Sequence, residues 1–195
     1  EKMNLTAITE YEEVLEKHFY DCIIPLKNAY VQGSVLDVGS GAGFPGLVWK
    51  IMKPELQVTL LEPTGKRCTF LKEVISHLHL ENILVVNERA EEFVVDHRES
   101  FDVVTARAVA NLNVLSELCV PLVKVGGYFY ALKGAKGKEE ELSASKAMTI
   151  LGMELKEEEH YTLPSGERVN LIYVKVKPTD KKYPRNYGQI KKKPL

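Results

Sequence analysis

With 195 residues, 45% hydrophobic and 27% charged, the chain has the composition of a single globular domain large enough for a real core. No apolar run approaches the roughly 20 residues of a membrane span, and Glu1-Lys2-Met3-Asn4 does not open a signal peptide, so a cytoplasmic protein with no membrane partner is expected. The net charge of −1 is unevenly spread: residues 181–195 carry six Lys or Arg and no acid, which makes that stretch +6 and leaves −7 for residues 1–180.

Three widely spaced cysteines, Cys22, Cys68 and Cys119, suit a reducing compartment and form no metal motif. His77 and His79 lie two apart, which on a helix points them to different sides. No Cys or carboxylate completes a ligand set around them, so no metal is expected.

Residues 1–8 read as an irregular entry. Tyr11, Val14, Leu15, Phe19, Cys22 and Ile23 recur at helical spacing, and Pro25 should end or kink that helix. Ser34 to Gly46, SVLDVGSGAGFPG, reads as strand, tight loop, helix, with the helix over about Pro45 to Met52. Gln57–Glu62 is the second expected strand. Thr64 can cap a helix that buries Phe70, Leu71, Val74, Ile75 and Leu78. Further strands are expected at Ile83–Val86, Phe101–Ala106 and Gly127–Leu132, with a helix from Leu112 to Val123. Glu139–Leu151 should turn Leu142, Met148 and Leu151 inward. Met153–Leu163 and Val169–Val176, around Pro164-Ser165-Gly166, suggest an antiparallel hairpin. Pro184 and Pro194 argue against a regular helix in the tail. Alternating strands and helices imply an α/β fold, a mostly parallel sheet of seven strands with helices on both faces.

The glycine loop admits more than one reading. Gly41-x-Gly43-x-x-Gly46 fits a dinucleotide fingerprint and a nicotinamide-dependent oxidoreductase. Gly39-x-Gly41-x-Gly43, with Asp37 two residues before it, fits the nucleoside loop of S-adenosylmethionine-dependent methyltransferases. A turn that binds nothing, or a non-enzymatic nucleotide- or RNA-binding module, is a further alternative. Ligands of open parallel sheets sit beyond the carboxyl ends of the strands. Those ends supply Glu62, which reads as a ribose acid or as a solvated capping residue, and Ala90-Glu91, which can hold an adenine edge or merely begin a helix. Arg107 and Lys133 follow strongly apolar strands and should point into the pocket, toward an electron-rich substrate or its phosphates; otherwise they are surface cations. In the tail, Tyr183 and Tyr187 alternate with cations, a pattern suited to phosphates and unpaired bases or to a solvated terminus.

Taken together, MNLTAIT at Met3–Thr9, HFYD at His18–Asp21, DVGSGAGFPG, GKR…FL at Gly65–Leu71, RAEEF at Arg89–Phe93, TARAVA at Thr105–Ala110, ALKG at Ala131–Gly134 and YPR…G at Tyr183–Gly188 resemble the bacterial small-subunit ribosomal RNA guanine-N7 methyltransferases, the RsmG (GidB) family. The resemblance implies a Rossmann-like class I methyltransferase that uses S-adenosylmethionine, held by Gly39, Gly41, Phe44, Ala90, Glu91 and Arg107. Glu62, where the family often has Asp, would take the ribose hydroxyls. The implied substrate is N7 of a guanine in the decoding-region loop of small-subunit ribosomal RNA, as RNA or assembling 30S subunit. Arg107 and Lys133 would be catalytic, Lys133 and Arg185 would contact RNA, and a monomer is expected. The resemblance also implies more N-terminal helix than residues 1–30 contain, a methyltransferase domain over 31–178 and a basic tail over 179–195.

Overall fold

A computed structural model of the chain describes residues 10–195; the entry over residues 1–8 and the Met3–Thr9 motif lie outside them. Helical structure opens with α1 (Tyr11–Val14), widens into a π-helical stretch (Leu15–Tyr20), and tightens again through α2 (Asp21–Ile23) and a 3-10 turn (Ile24–Lys27). The apolar stripe expected there does not form: Tyr11 is 74% exposed, and Leu15 and Phe19 are also exposed. The π stretch adds residues to the turn and moves side chains spaced for 3.6 per turn off a common face. Cys22 is buried, and its carbonyl accepts a hydrogen bond from the Trp49 indole at 2.8 Å.

The rest alternates as expected, with β1 (Ser34–Val38), α3 (Gly46–Met52), β2 (Gln57–Leu61), α4 (Gly65–His77), β3 (Ile83–Val86), α5 (Ala90–His97) and β4 (Phe101–Arg107). There follow α6 (Leu112–Cys119), β5 (Val123–Gly134), α7 (Gly137–Leu151) and the antiparallel pair β6 (Met153–Leu163) and β7 (Gly166–Lys175). The seven strands lie in the order β3-β2-β1-β4-β5-β7-β6. Strands β1 to β5 are parallel, and β7 joins β5 antiparallel. Chain order reverses between β1 and β4, the place where such sheets open a crevice for ligands.

Strand alternation divides the core into two layers. Val35, Val103, Tyr130 and Ile172 face one side with Trp49 and Leu71. Leu36, Val104, Phe129, Ala131 and Leu171 face the other, against Leu115, Ala144 and Met148. Helix α7 differs from expectation at Leu142, which is 67% exposed while Ala144, Ala147, Met148 and Leu151 are buried. Those four occupy one helical stripe, and Leu142 lies about 200° from Ala144.

The tail also differs, because a short helix α8 (Tyr187–Lys192) forms between its prolines. The Asn186 side chain caps it, accepting from the Gln189 N–H at 2.9 Å. Tyr183 and Ile190 are buried in the core beside α6. Fully buried Glu117 receives the Arg185 backbone N–H at 2.8 Å, Nε at 2.9 Å and Nη2 at 2.6 Å. Removing one partner of a buried pair strands the other charge, at a cost of about 3 kcal/mol. Arg185→Ala should therefore lower the unfolding free energy by about that much in urea titrations, and Arg185→Lys should recover part of it. A loss below about 1 kcal/mol would show that this pair does not anchor the tail.

Candidate active site

The glycine loop leaves β1 and is tied at once to β2, with the Gly39 N–H donating to the Leu61 carbonyl at 2.8 Å. Gly43, at φ +98°, takes a conformation that side-chain-bearing residues rarely adopt, and a Cβ there would lie 2.8 Å from Leu47. Gly46 lets α3 approach the sheet, since a Cβ would lie 2.7 Å from both Asp37 and Leu60. Two carboxylates then hold the loop. Asp37 Oδ2 accepts the Gly46 N–H at 3.0 Å. Glu62, 1% exposed just beyond β2, accepts the Gly41 N–H at 3.0 Å and the Thr64 N–H at 2.9 Å. Asp37 Oδ1 is buried with no hydrogen-bond partner among the described residues. Burial pushes the Asp37 carboxyl up to about 7, against the opposing pull of the Gly46 amide.

Two hollows flank this loop and share Val109 as a wall. The smaller, about 140 Å³, is bounded by Gly39, Leu61, Ala90, Glu91, Leu118 and Tyr187. The larger, about 560 Å³, lies over the ends of β4 and β5 and is lined by His18, Asp21, Arg107, Lys133, Tyr161 and Arg168. Between them Ala108 sits at φ +56°, a backbone angle that costs a residue with a side chain and tends to persist at functional sites.

Arg107 and Lys133 do come together around the larger hollow, and both are engaged by protein groups. Arg107 Nη1 donates to the Lys17 carbonyl at 2.8 Å and lies 3.4 Å from Asp21 Oδ2. Its Nη2 is 3.0 Å from His18 Nδ1. Burial, with the Arg107 charge beside it, lowers the proton affinity of His18; a neutral imidazole can accept that hydrogen bond. Phe44 of the glycine loop packs beneath this group, stacked on His18 at 4.9 Å, edge-on to Phe19 at 5.3 Å, and 5.3 Å below the Arg107 guanidinium. Asp21 also accepts the Tyr161 hydroxyl at 2.9 Å and lies 3.5 Å from Arg168 Nε. Lys133 Nζ donates to the Ala110 carbonyl and pairs with Glu140, both at 2.8 Å. Among the described residues no cluster of His, Cys, Asp and Glu could hold a metal, and no helix is long and apolar enough to cross a membrane.

The family model GidB, described as rRNA small subunit methyltransferase G, matches residues 1–168. The chain belongs to this family. The ribosomal RNA small subunit methyltransferase G of Lysinibacillus sphaericus is 52% identical over 203 residues, spanning all of this chain and 84% of that protein. Its Lactobacillus helveticus counterpart is 49% identical, spanning all of this chain and 85% of its own. Solved structures share the fold at lower identity. A 16S rRNA (adenine(1408)-N(1))-methyltransferase from Catenulisporales acidiphilia superposes with a TM-score of 0.62 at 17% identity, covering 78% of this chain and 89% of its own. M. jannaschii TYW2 in complex with AdoMet gives 0.60 at 14%, covering 86% and 77%. The Rossmann-like methyltransferase fold expected from the sequence is thus the observed one, and the enzyme is an rRNA methyltransferase by family.

For this GidB-family chain the expected site residues divide by position. Gly39, Gly41, Phe44 and Glu62 surround the loop, Ala90 and Glu91 open α5 at the smaller hollow, and Arg107 and Lys133 line the larger. Arg185 lines neither and is bound to Glu117. Tyr183, read as a base-stacking ring, is instead a core residue. Sequence reasoning named His18 and Asp21 only within HFYD, and gave no role to Tyr161 or Arg168. His18 and Asp21 both meet Arg107 in the structure, and no sequence spacing signalled it, because His18 lies in the π-helical stretch where a spacing of three no longer marks one face.

Asp37 supplies a pH test. Its carboxyl titrates near 7 when folded and near its ordinary 3.8 when unfolded. Between those values the folded state holds a proton that the unfolded chain has released, so stability falls as pH rises through this window. Uncharged Asp37→Asn should lack that term, so from pH 4 to 7.5 the variant should gain about 3 kcal/mol on the parent in denaturant titrations. An unchanging difference would contradict the placement of Asp37 as a raised, buried acid.

Proposed function

We propose that this enzyme transfers a methyl group from S-adenosylmethionine to N7 of a guanine in the decoding-region loop of small-subunit ribosomal RNA. The observation that carries the reading is the meeting of the two hollows at Val109, with Gly39 of the glycine loop and the Ala90-Glu91 start of α5 on one side and Arg107 and Lys133 on the other. The residues fit the cofactor. A carboxylate accepts about four hydrogen bonds, and Glu62 uses one from each oxygen on backbone amides, which leaves acceptor capacity for ribose hydroxyls. Leu61, Ala90 and Leu118 give the smaller hollow apolar walls for a base, with Glu91 at its rim. Gly39 lines the smaller hollow, and Phe44 packs on His18 and Arg107 of the larger.

S-adenosylmethionine supplies an electrophilic methyl group on a sulfonium sulfur. Guanine N7 carries a free lone pair, so no residue has to remove a proton before attack. The protein's task is to align the nucleophile and exclude water. Arg107 and Lys133 present donors for the guanine carbonyl and adjacent phosphates, while Asp21 and Glu140 counter the positive charge that the base acquires. Residues 31–178 would be the methyltransferase domain, with 1–30 an N-terminal segment and 179–195 a basic tail. In the tail Arg185 serves RNA binding by fixing the position of its lysines. On this reading the protein works as a cytoplasmic monomer, needs no metal, and meets its substrate as RNA or an assembling 30S subunit.

Tritiated methyl should be incorporated into 30S subunits or their RNA from a strain lacking the modification, with 7-methylguanosine identified by mass. No incorporation into either, or label on another base, overturns the assignment. Lys133→Ala should lower turnover at least about 100-fold, in the range of a lost electrostatic contact, while S-adenosylhomocysteine affinity stays within about twofold. Unchanged turnover would remove Lys133 from the chemistry.

A further inference from the structure

The smaller hollow is built almost wholly from the strand ends and helix starts between Val38 and Leu118. One lining residue comes from elsewhere: Tyr187, the first residue of α8 and, among the described residues, the only aromatic ring around this hollow. Three contacts fix its position before any ligand arrives. Two residues earlier, Arg185 is locked to buried Glu117 on α6. One residue earlier, Asn186 caps the helix. Three residues later, Ile190 is fully buried in the core. Between these anchors Tyr187 keeps 37% of its surface exposed. A large ring held in place by its neighbours, yet left partly bare against an apolar slot, loses little conformational freedom when a flat ligand covers it.

We propose that Tyr187 is a cofactor-contacting residue whose ring closes the smaller hollow against the nucleoside base, so that the C-terminal tail is part of the cofactor site. The inference rests on the proposed use of S-adenosylmethionine and adds a contact to it. The opposite walls, Leu61, Ala90, Val109 and Leu118, offer apolar surface but no π-face. Tyr187 provides one, and aromatic rings pack on heterocyclic bases by offset stacking or edge contact regardless of hydrogen-bond pattern. The contact therefore depends on the ring and not on its hydroxyl.

Isothermal titration with S-adenosylhomocysteine tests this on the full chain. Tyr187→Ala should weaken binding roughly tenfold, and Tyr187→Phe should bind within about twofold of the parent. Unfolding temperatures without ligand should differ little between the two variants. Tyr187→Trp gives a second measurement independent of the alanine variant's folding: its fluorescence should change on titration, beyond any change from Trp49 in the parent. Equal affinities for parent and Tyr187→Ala, or a Tyr187→Trp signal that does not respond, overturn the inference and leave the proposed function standing. A parent protein that binds no S-adenosylhomocysteine overturns both.

Discussion

Two buried carboxylates at the ends of neighbouring strands hold the glycine loop by its own amides, and both hollows depend on the loop staying where they put it. The arrangement is costly, because an ionised group out of water needs compensation. Glu62 receives it from two backbone N–H groups. Asp37 receives one N–H and is left with a bare oxygen, which explains why its proton is held up to about 7. Glycine at position 46 is what makes the tie to α3 possible, since any side chain would fall on Asp37 itself. The two acids thus shape the loop from the strand ends.

A second clasp works at larger scale. Asp21 draws together Arg107 from β4, Tyr161 from β6 and Arg168 from β7. Glu16 adds a hydrogen bond from the Ser165 amide at the hairpin turn. The N-terminal segment is therefore held by the hairpin at one side and by Trp49 and Phe44 beneath. The π-helical stretch falls where His18 and Phe19 meet Phe44, so the irregular turn and the contact with the loop coincide.

The alternation of strands and helices was legible because β1, β2, β4 and β5 are apolar runs closed by glycine or charge. Side-chain direction was less so. Leu142 and the Tyr11–Phe19 stripe were misread because spacing reports a face only if the helix keeps its period and a partner lies opposite. Strand β5 begins at Val123, four residues earlier than its apolar run suggests; Gly127 allows it, since a Cβ there would lie 2.7 Å from the Asp102 carbonyl. In the site, residues on the strand ends could be named from order alone. Tyr187 could be noticed but not assigned, because its position depends on Arg185 finding Glu117 across 68 residues of chain, a pairing that no local pattern encodes.

The charges of the larger hollow settle how it can discriminate. Arg107 and Arg168 share Asp21, and Lys133 pairs with Glu140, so its cations already have acids beside them. Such a hollow exerts little net pull on a polyanion; what it offers is donors at fixed positions. Lys133 donates one N–H to the Ala110 carbonyl and is ion-paired with Glu140; an ammonium carries three donors. If RNA is the substrate, as proposed, its long-range attraction falls to charge elsewhere than this hollow; residues 1–180 sum to −7 and residues 181–195 to +6. On the proposed function, recognition and attraction fall to different parts of the chain, and the ion pair between Arg185 and Glu117 fastens residues 181–195 to α6.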